Sequence, residues 1–176
     1  MNTVSYQGAT AAVQVDLSYG KSQDTKGAGT DTIKNCANLI GGQFNDTLLG
    51  SALANAIEGG AGSDRIFGDK GADALTGGAG ADVFVFGNIN QSNAASEDVI
   101  RDFSAAQGDK IDLRSFDADA TTAGFQHFSF AADGVLGLGK VIFLGGEILG
   151  DVTGDGVEDF VARVTGAVLG AGDFLL

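Results

Sequence analysis

Large apolar residues recur at a fixed interval of nine through the middle of the chain: Leu48, Ile57, Ile66, Leu75 and Phe84. The stretches between them are rich in glycine, alanine and aspartate. Such an interval fits neither a helical stripe nor a long alternating strand. It predicts three-residue strands separated by six-residue turns, each strand pointing one large side chain inward and its two neighbours outward. Upstream, Val4 and Tyr6, then Val13, Val15, Leu17 and Tyr19, alternate with a period of two and predict one or two strands. Beyond Phe86 the interval disappears. Strands are expected there over Asp98–Phe103, Lys110–Phe116, Phe125–Phe130, Lys140–Leu149 and Phe160–Val164, with a polar loop over Asn88–Glu97. No stretch carries a helical stripe, and Asp117–Ala123 holds a short turn at most. The chain therefore reads as all-β, with N-terminal strands and repeats over residues 1–87 and a non-repeating part over 88–176.

The turns have their own pattern. Five consecutive nonapeptides open at Gly41, Gly50, Gly59, Gly68 and Gly77. The third, GGAGSDRIF, and the fifth, GGAGADVFV, read G-G-x-G-x-D-x-U-x, where U is large and apolar. The fourth, GDKGADALT, departs only at its second position. The first, GGQFNDTLL, carries Phe44 at its fourth position; the second, GSALANAIE, has Asn55 where the aspartate belongs. KGAGTDTIK (Lys26 to Lys34) fits from its second position onward. With the short NCANLI that follows, it forms an irregular first coil of the kind that caps a repeat array. The nonapeptide is similar to the calcium-binding repeat of RTX (repeats-in-toxin) proteins. That resemblance implies a parallel β-roll in which two nonapeptides complete one coil.

Charge sharpens this picture. The formal net charge of -13 argues against nucleic acid and anionic membrane surfaces as partners. The acidity is lopsided: 19 Asp and 4 Glu make up the 23 acidic residues. Short carboxylates suit tight loops in which backbone carbonyls and a side chain share one cation. Cys36 is the only cysteine, so no internal disulfide is available and metal must do any stapling. Among Ala37, Leu39 and Ile40 it reads as a buried, inert thiol. No apolar run approaches membrane-spanning length, no cleavable N-terminal signal peptide is visible, and no proline marks a rigid linker.

In a two-repeat coil, turns on one edge lie two repeats apart. Asp46 is then expected to share a cation with Asp64, and Asp64 with Asp82, while the irregular coil brings Asp31 toward Asp46. On the other edge Asn55 faces Asp73, a weaker site because one charge is missing. Turn positions Gly27, Gly29, Gly42, Gly60, Gly62, Gly71, Gly78 and Gly80 are the remaining candidates, through their backbone carbonyls. Two carboxylates ~5 Å apart repel by roughly 3 kcal/mol at an effective dielectric near 20. With one inward apolar residue per nonapeptide the core is thin. Several calcium ions are therefore expected to be needed for the stack to hold. A second candidate is GDVTGDGVEDF (Gly150 to Phe160), where Asp151, Thr153, Asp155, the Val157 carbonyl and Asp159 alternate as in an EF-hand loop and Gly156 takes the sharp turn. Ala162 stands where the bidentate Glu would be, no helices flank it, and an Asp-Gly hairpin turn explains the same letters. Asp98, Asp102, Asp109 and Asp112 alternate with apolar residues and read mostly as solvent-facing, with a chance to close a site at the end of the roll.

Over its whole length the chain resembles the C-terminal RTX domain of serralysin-type proteins. NTVSY, GAGTDTIKNCANLIGGQFNDTLLG, the repeats, DVIRDF, GDKIDLRSF, GDVTGDGVEDFVARVTG and the terminal DFLL carry the resemblance. It implies a β-roll with a C-terminal β-sandwich-like cap, and secretion to the extracellular space by a type I ABC transporter that reads an uncleaved C-terminal signal. Asp173, Phe174, Leu175 and Leu176 match the family's ending. Cys36, where relatives carry an acidic residue, and the degenerate second repeat depart from it. The family includes metalloproteases, lipases and mannuronan epimerases, but there is no H-E-x-x-H and no G-x-S-x-G, and His127 is the only histidine. A non-catalytic, calcium-triggered folding and export module is the leading expectation, with an upstream catalytic domain as partner. The rival is an extracellular polysaccharide-binding (alginate) module, for which Lys26, Lys34, Arg65 and Lys70 are the few cations near the roll.

Overall fold

The computed structural model describes residues 2–176. Short strands dominate: β1 (Asn2–Ser5), β2 (Gln14–Asp16), β3 (Ser22–Asp24), β4 (Thr30–Thr32), β5 (Cys36–Ile40), β6 (Thr47–Leu49), β7 (Ala56–Ala61), β8 (Arg65–Phe67), β9 (Ala74–Ala79), β10 (Val83–Val85), β11 (Asp98–Ile100), β12 (Lys110–Asp112), β13 (Ser129–Phe130), β14 (Lys140–Leu144), β15 (Glu147–Asp151), β16 (Phe160–Val164) and β17 (Phe174–Leu175). The one described helical element is a 3₁₀ turn over Ala171–Asp173. No helix among the described residues is long and apolar enough to cross a membrane.

The chain winds alternately between two sheets. One, of nine strands, runs β1-β5-β7-β9-β11-β16-β15-β14-β13; the other, of six, runs β17-β12-β10-β8-β6-β2. Within the repeats every pairing is parallel and in register one coil apart, as in Ile57↔Leu75 and Leu48↔Ile66. Leu48, Ile57, Ile66, Leu75 and Phe84 are all buried, and Val15, Leu39, Ile100 and Ile111 extend the same core at its two ends. The roll is thus an apolar column one large side chain wide, walled by two sheets, with its turns stacked along two edges.

Past the repeats the nine-stranded sheet continues directly. β11 pairs parallel with both β9 and β16, and the sheet then turns antiparallel through β16, β15 and β14. This part packs on an aromatic core. Phe160 meets Phe86 at 5.1 Å and Phe116 at 5.3 Å, both edge to face, and Phe116 meets Phe128 at 5.1 Å. The architecture is the expected all-β roll with a β-sandwich-like cap. Four local expectations are corrected. Lys140–Leu149 is not one strand but the hairpin β14–β15, because Gly145 and Gly146 both take positive φ, as a type I′ turn requires. Phe125–Phe130 shortens to β13, and Tyr19 lies exposed beyond the end of β2. Cys36 is only half-buried, since it sits on the outward side of β5.

Phe160 is fully buried among three aromatic neighbours or near-neighbours, so Phe160→Ala is expected to cost about 3–5 kcal/mol of stability. Urea unfolding at saturating calcium reads this directly.

Candidate metal centre

The turn edges are built on one repeated contact. One oxygen of each turn aspartate accepts the backbone N–H of the residue one coil earlier. Asp64 Oδ1 accepts from Asp46 N (2.7 Å) and Asp82 Oδ1 from Asp64 N (2.8 Å) along one edge. On the other edge Asp73 Oδ1 accepts from Asn55 N (2.7 Å). The expected pairing of turns two repeats apart is therefore formed through carboxylate–amide bonds. The second oxygen is left over. Asp64, Asp73, Asp82 and Asp98 each bury an Oδ2 that has no hydrogen-bond partner, although a buried acceptor without a partner costs about 1–3 kcal/mol.

Three of those oxygens lie in the space a Cβ would fill on the first glycine of their own repeat: Asp64 beside Gly59, Asp73 beside Gly68, Asp82 beside Gly77. The carbonyl of Gly77 borders the same space at Gly59, and that of Gly59 borders it at Gly41. Positive φ at Gly60, Gly62, Gly71, Gly78 and Gly80 turns the backbone into these cradles. Asp69 adopts φ 66 at the second position of the fourth repeat, where its siblings have glycine. The donor set is all oxygen, carboxylate plus carbonyl, which fits a hard divalent cation such as calcium. No three His, Cys, Asp or Glu side chains converge among the described residues. Any ion here must draw on the backbone for most of its ligands.

Burial without a partner has an electrostatic signature. Loss of solvent pushes the carboxyls of Asp64 and Asp73 up to about 7 and that of Asp98 to about 8. Burial also raises Asp82 and Asp109, each with further help from neighbouring carboxylates. A bound dication removes the need for these protons.

The first two turns differ. Asp46 spends both oxygens on amides, Val13 N (2.8 Å) and Gly42 N (2.6 Å). Gly42, Phe44, Ser51 and Leu53 all lack positive φ. Asn55 Oδ1 accepts from Ser51 N, and its Nδ2 donates to the Ala37 carbonyl (2.9 Å), so no orphan remains. Asp31 is not brought to Asp46. It lies on β4, where its Oδ2 accepts the hydroxyls of Tyr6 and Thr25, both at 3.0 Å, while Val13 occupies the position below Asp46. Gly29, at φ 91, turns the hairpin between β3 and β4, and Gly27 packs against the Ala11 carbonyl.

The ladder continues where the glycines stop. Asp98 Oδ1 accepts from Asp73 N (2.9 Å) and Asp109 Oδ1 from Asp82 N (2.9 Å), so both are buried rather than solvent-facing. Asp102 accepts from Gly77 N and Gly78 N, and Gln107 from Gly80 N, closing the last turn. The available signal was the tripeptide D-x-U: Asp98-Val99-Ile100 and Asp109-Lys110-Ile111 repeat Asp64-Arg65-Ile66 after the nine-residue spacing has lapsed. Asp112 is also buried, but Arg114 and Arg65 clamp it and hold its carboxyl below the usual range.

The loop after β15 uses its carboxylates internally. Asp151 accepts from Thr153, Gly154 and Gly156 N–H groups, Asp159 from Val152 and Thr153, and Asp155 from Val157. These bonds explain the loop's shape without an ion.

Two outcomes follow from this geometry. In Asp64→Asn, Oδ1 keeps the Asp46 amide and an uncharged NH₂ replaces the orphan oxygen, the reverse of Asn55, whose Oδ1 lies beside Gly50 and whose Nδ2 reaches the Ala37 carbonyl. The metal-free chain should gain stability of about 1–3 kcal/mol while losing bound calcium, measured by chelator-state urea unfolding and by calcium titration. The second concerns pH. A carboxyl near 3.8 unfolded and near 7 or 8 folded binds more protons in the native state between those values. Stability of the metal-free fold therefore falls as pH rises from about 4 through 7 to 8. Circular dichroism in chelator should show more strand at pH 5 than at pH 8, and calcium uptake below pH 7 should release protons.

Comparison with known proteins places this geometry. Residues 26–176 match the family model described as Peptidase M10 serralysin C terminal. Over 173 residues, 94% of this chain, the sequence is 43% identical to Metalloprotease AprA of Pseudomonas entomophila (strain L48), of which it covers 36%. The fold is similar to the solution structure of the AlgE6R3 subunit of the Azotobacter vinelandii mannuronan C5-epimerase, with a TM-score of 0.57 and 26% identity over 78% of this chain and 76% of that one. The chain spans about a third of AprA. It belongs to the family of peptidase M10 serralysin C-terminal domains.

Proposed function

We propose that this domain is a calcium-triggered folding and export module. The observation that carries the reading is the set of four buried, partnerless carboxylate oxygens, three of them against the first glycine of their own repeat. With those carboxylates ionised and no cation present, the turns repel one another and the thin apolar column cannot hold them. Extracellular calcium modules work at dissociation constants of about 10⁻⁴–10⁻³ M, far above cytosolic levels, so the chain stays unfolded and threadable inside the cell. Outside, calcium fills the edges, and folding blocks back-sliding and gives any upstream catalytic portion a folded neighbour. The half-sites with positive-φ turns, at Asp64, Asp73 and Asp82, bind first; those at Asp46 and Asn55 bind weakly or not at all. A type I transporter reading the C-terminal segment completes the scheme, with residues 1–87 as the roll and 88–176 as the cap.

A second reading, recognition of an acidic polysaccharide, is favoured by one finding: the likeness to a module of a mannuronan C5-epimerase extends over most of the chain. The two readings are compatible, because the roll's edges and its sheet faces are separate surfaces.

The deciding measurement for the first is far-UV circular dichroism at pH 8 with calcium and with chelator. A large, reversible gain of strand on adding millimolar calcium is expected. A spectrum already rich in strand in chelator removes the switch.

A further inference from the structure

The outer face of the nine-stranded sheet carries a groove of about 220 Å³ crossing β5, β7 and β9 and ending at Arg101, just past β11. Strand register builds it. One outward row runs Asn38, Ala56, Ala74 and Val99, paired in turn across the sheet. The next runs Ile40, Glu58 and Thr76, and Arg101 follows Ile100, which pairs with Leu75, so that it continues this row. The two alanines leave the floor low; Asn38, Glu58, Thr76 and Arg101 form polar walls.

Arg101 is exposed and has neither an ion pair nor a side-chain hydrogen bond among the described residues. That is notable in a chain with 23 acidic and 10 basic residues, where Arg65, Arg114 and Arg163 all hold carboxylates. Its planar fork suits a carboxylate held bidentately. Glu58 lies two strands away, about 9.6 Å at usual strand spacing, and accepts only. Asn38 and Thr76 both donate and accept. A ligand with a negative charge on every unit would meet Glu58 unfavourably. An extended acidic peptide needs a free sheet edge for its backbone, which a sheet face does not offer. A chain combining one carboxylate with neutral hydroxyls matches every wall residue.

We propose that this groove is a saccharide subsite for a uronic acid, with the sugar carboxylate on Arg101 and its hydroxyls on Glu58, Thr76 and Asn38. The proposal rests on the second reading above and gives it a location. It differs from the cations near the roll singled out in the sequence, of which only Arg65 lies on a sheet strand, and on the opposite sheet.

Calorimetric titration of the calcium-loaded chain with a uronate trimer, one glucuronate flanked by two neutral glucoses, tests it, beside a neutral glucose trimer and a short polyglutamate. Variants are Arg101→Ala, Arg101→Lys and Ala74→Leu, the last filling the floor while Leu75 keeps its place in the core. Calcium-dependent circular dichroism confirms that each variant folds. The uronate trimer should bind. Arg101→Ala should weaken it about tenfold or more, as loss of a charge-assisted bond implies; Arg101→Lys should restore part, and Ala74→Leu should block it. Uronate binding unchanged in both Arg101→Ala and Ala74→Leu overturns the groove and leaves the polysaccharide reading standing. Polyglutamate binding with the same sensitivities overturns the sugar assignment. Absence of binding to any probe by the unaltered chain removes both.

Discussion

One contact organises this molecule: a turn aspartate that reaches across to the backbone amide one coil earlier. Because it uses a single carboxylate oxygen, it sets the coil-to-coil register and at the same time leaves the other oxygen buried without a partner. Register and orphan oxygen are consequences of the same bond. Asn55 bridges the coils without leaving an orphan: its Nδ2 donates to the Ala37 carbonyl one coil earlier and its Oδ1 accepts from Ser51 N in its own turn. Glycine is required at the head of each repeat for a related reason, since a Cβ there would occupy the cradle itself.

The two ends of the roll are finished differently. At the N-terminal end, Val13 and Gly42 satisfy Asp46, and the hairpin carrying Asp31 is tied to Tyr6 and Thr25, so that end closes on hydrogen bonds alone. At the C-terminal end, Asp98 and Asp109 add one more rung to each edge, and Asp102 and Gln107 cap the amides of Gly77, Gly78 and Gly80. Ser92 joins the last rung to the cap. Its hydroxyl accepts from Asp98 N (2.9 Å) and donates to the Val161 carbonyl on β16. The last rung of that edge is thereby connected to the aromatic core around Phe160.

The fold class, the coil of two repeats and the buried large residues were legible because strict periodicity leaves little choice: a nine-residue unit with one apolar position can bury it only by stacking. The ladder aspartates Asp64, Asp73 and Asp82 were legible for the same reason. Asp98 and Asp109 were misread as surface residues, since insertions of seven and nine residues break the count while the backbone keeps the register. Lys140–Leu149 was misread because a continuous apolar run hides a two-glycine hairpin.

By itself the sequence determined the winding of the chain, the oxygen-only chemistry of its edges and the family to which both belong, since each follows from residue type at fixed spacing. Tertiary structure decided which carboxylates keep a free oxygen, where the ladder ends and which cations stay unpaired on a sheet face. Those depend on what each side chain meets across coils, and hydrogen-bond partners 18 to 27 residues away leave no local trace in the chain.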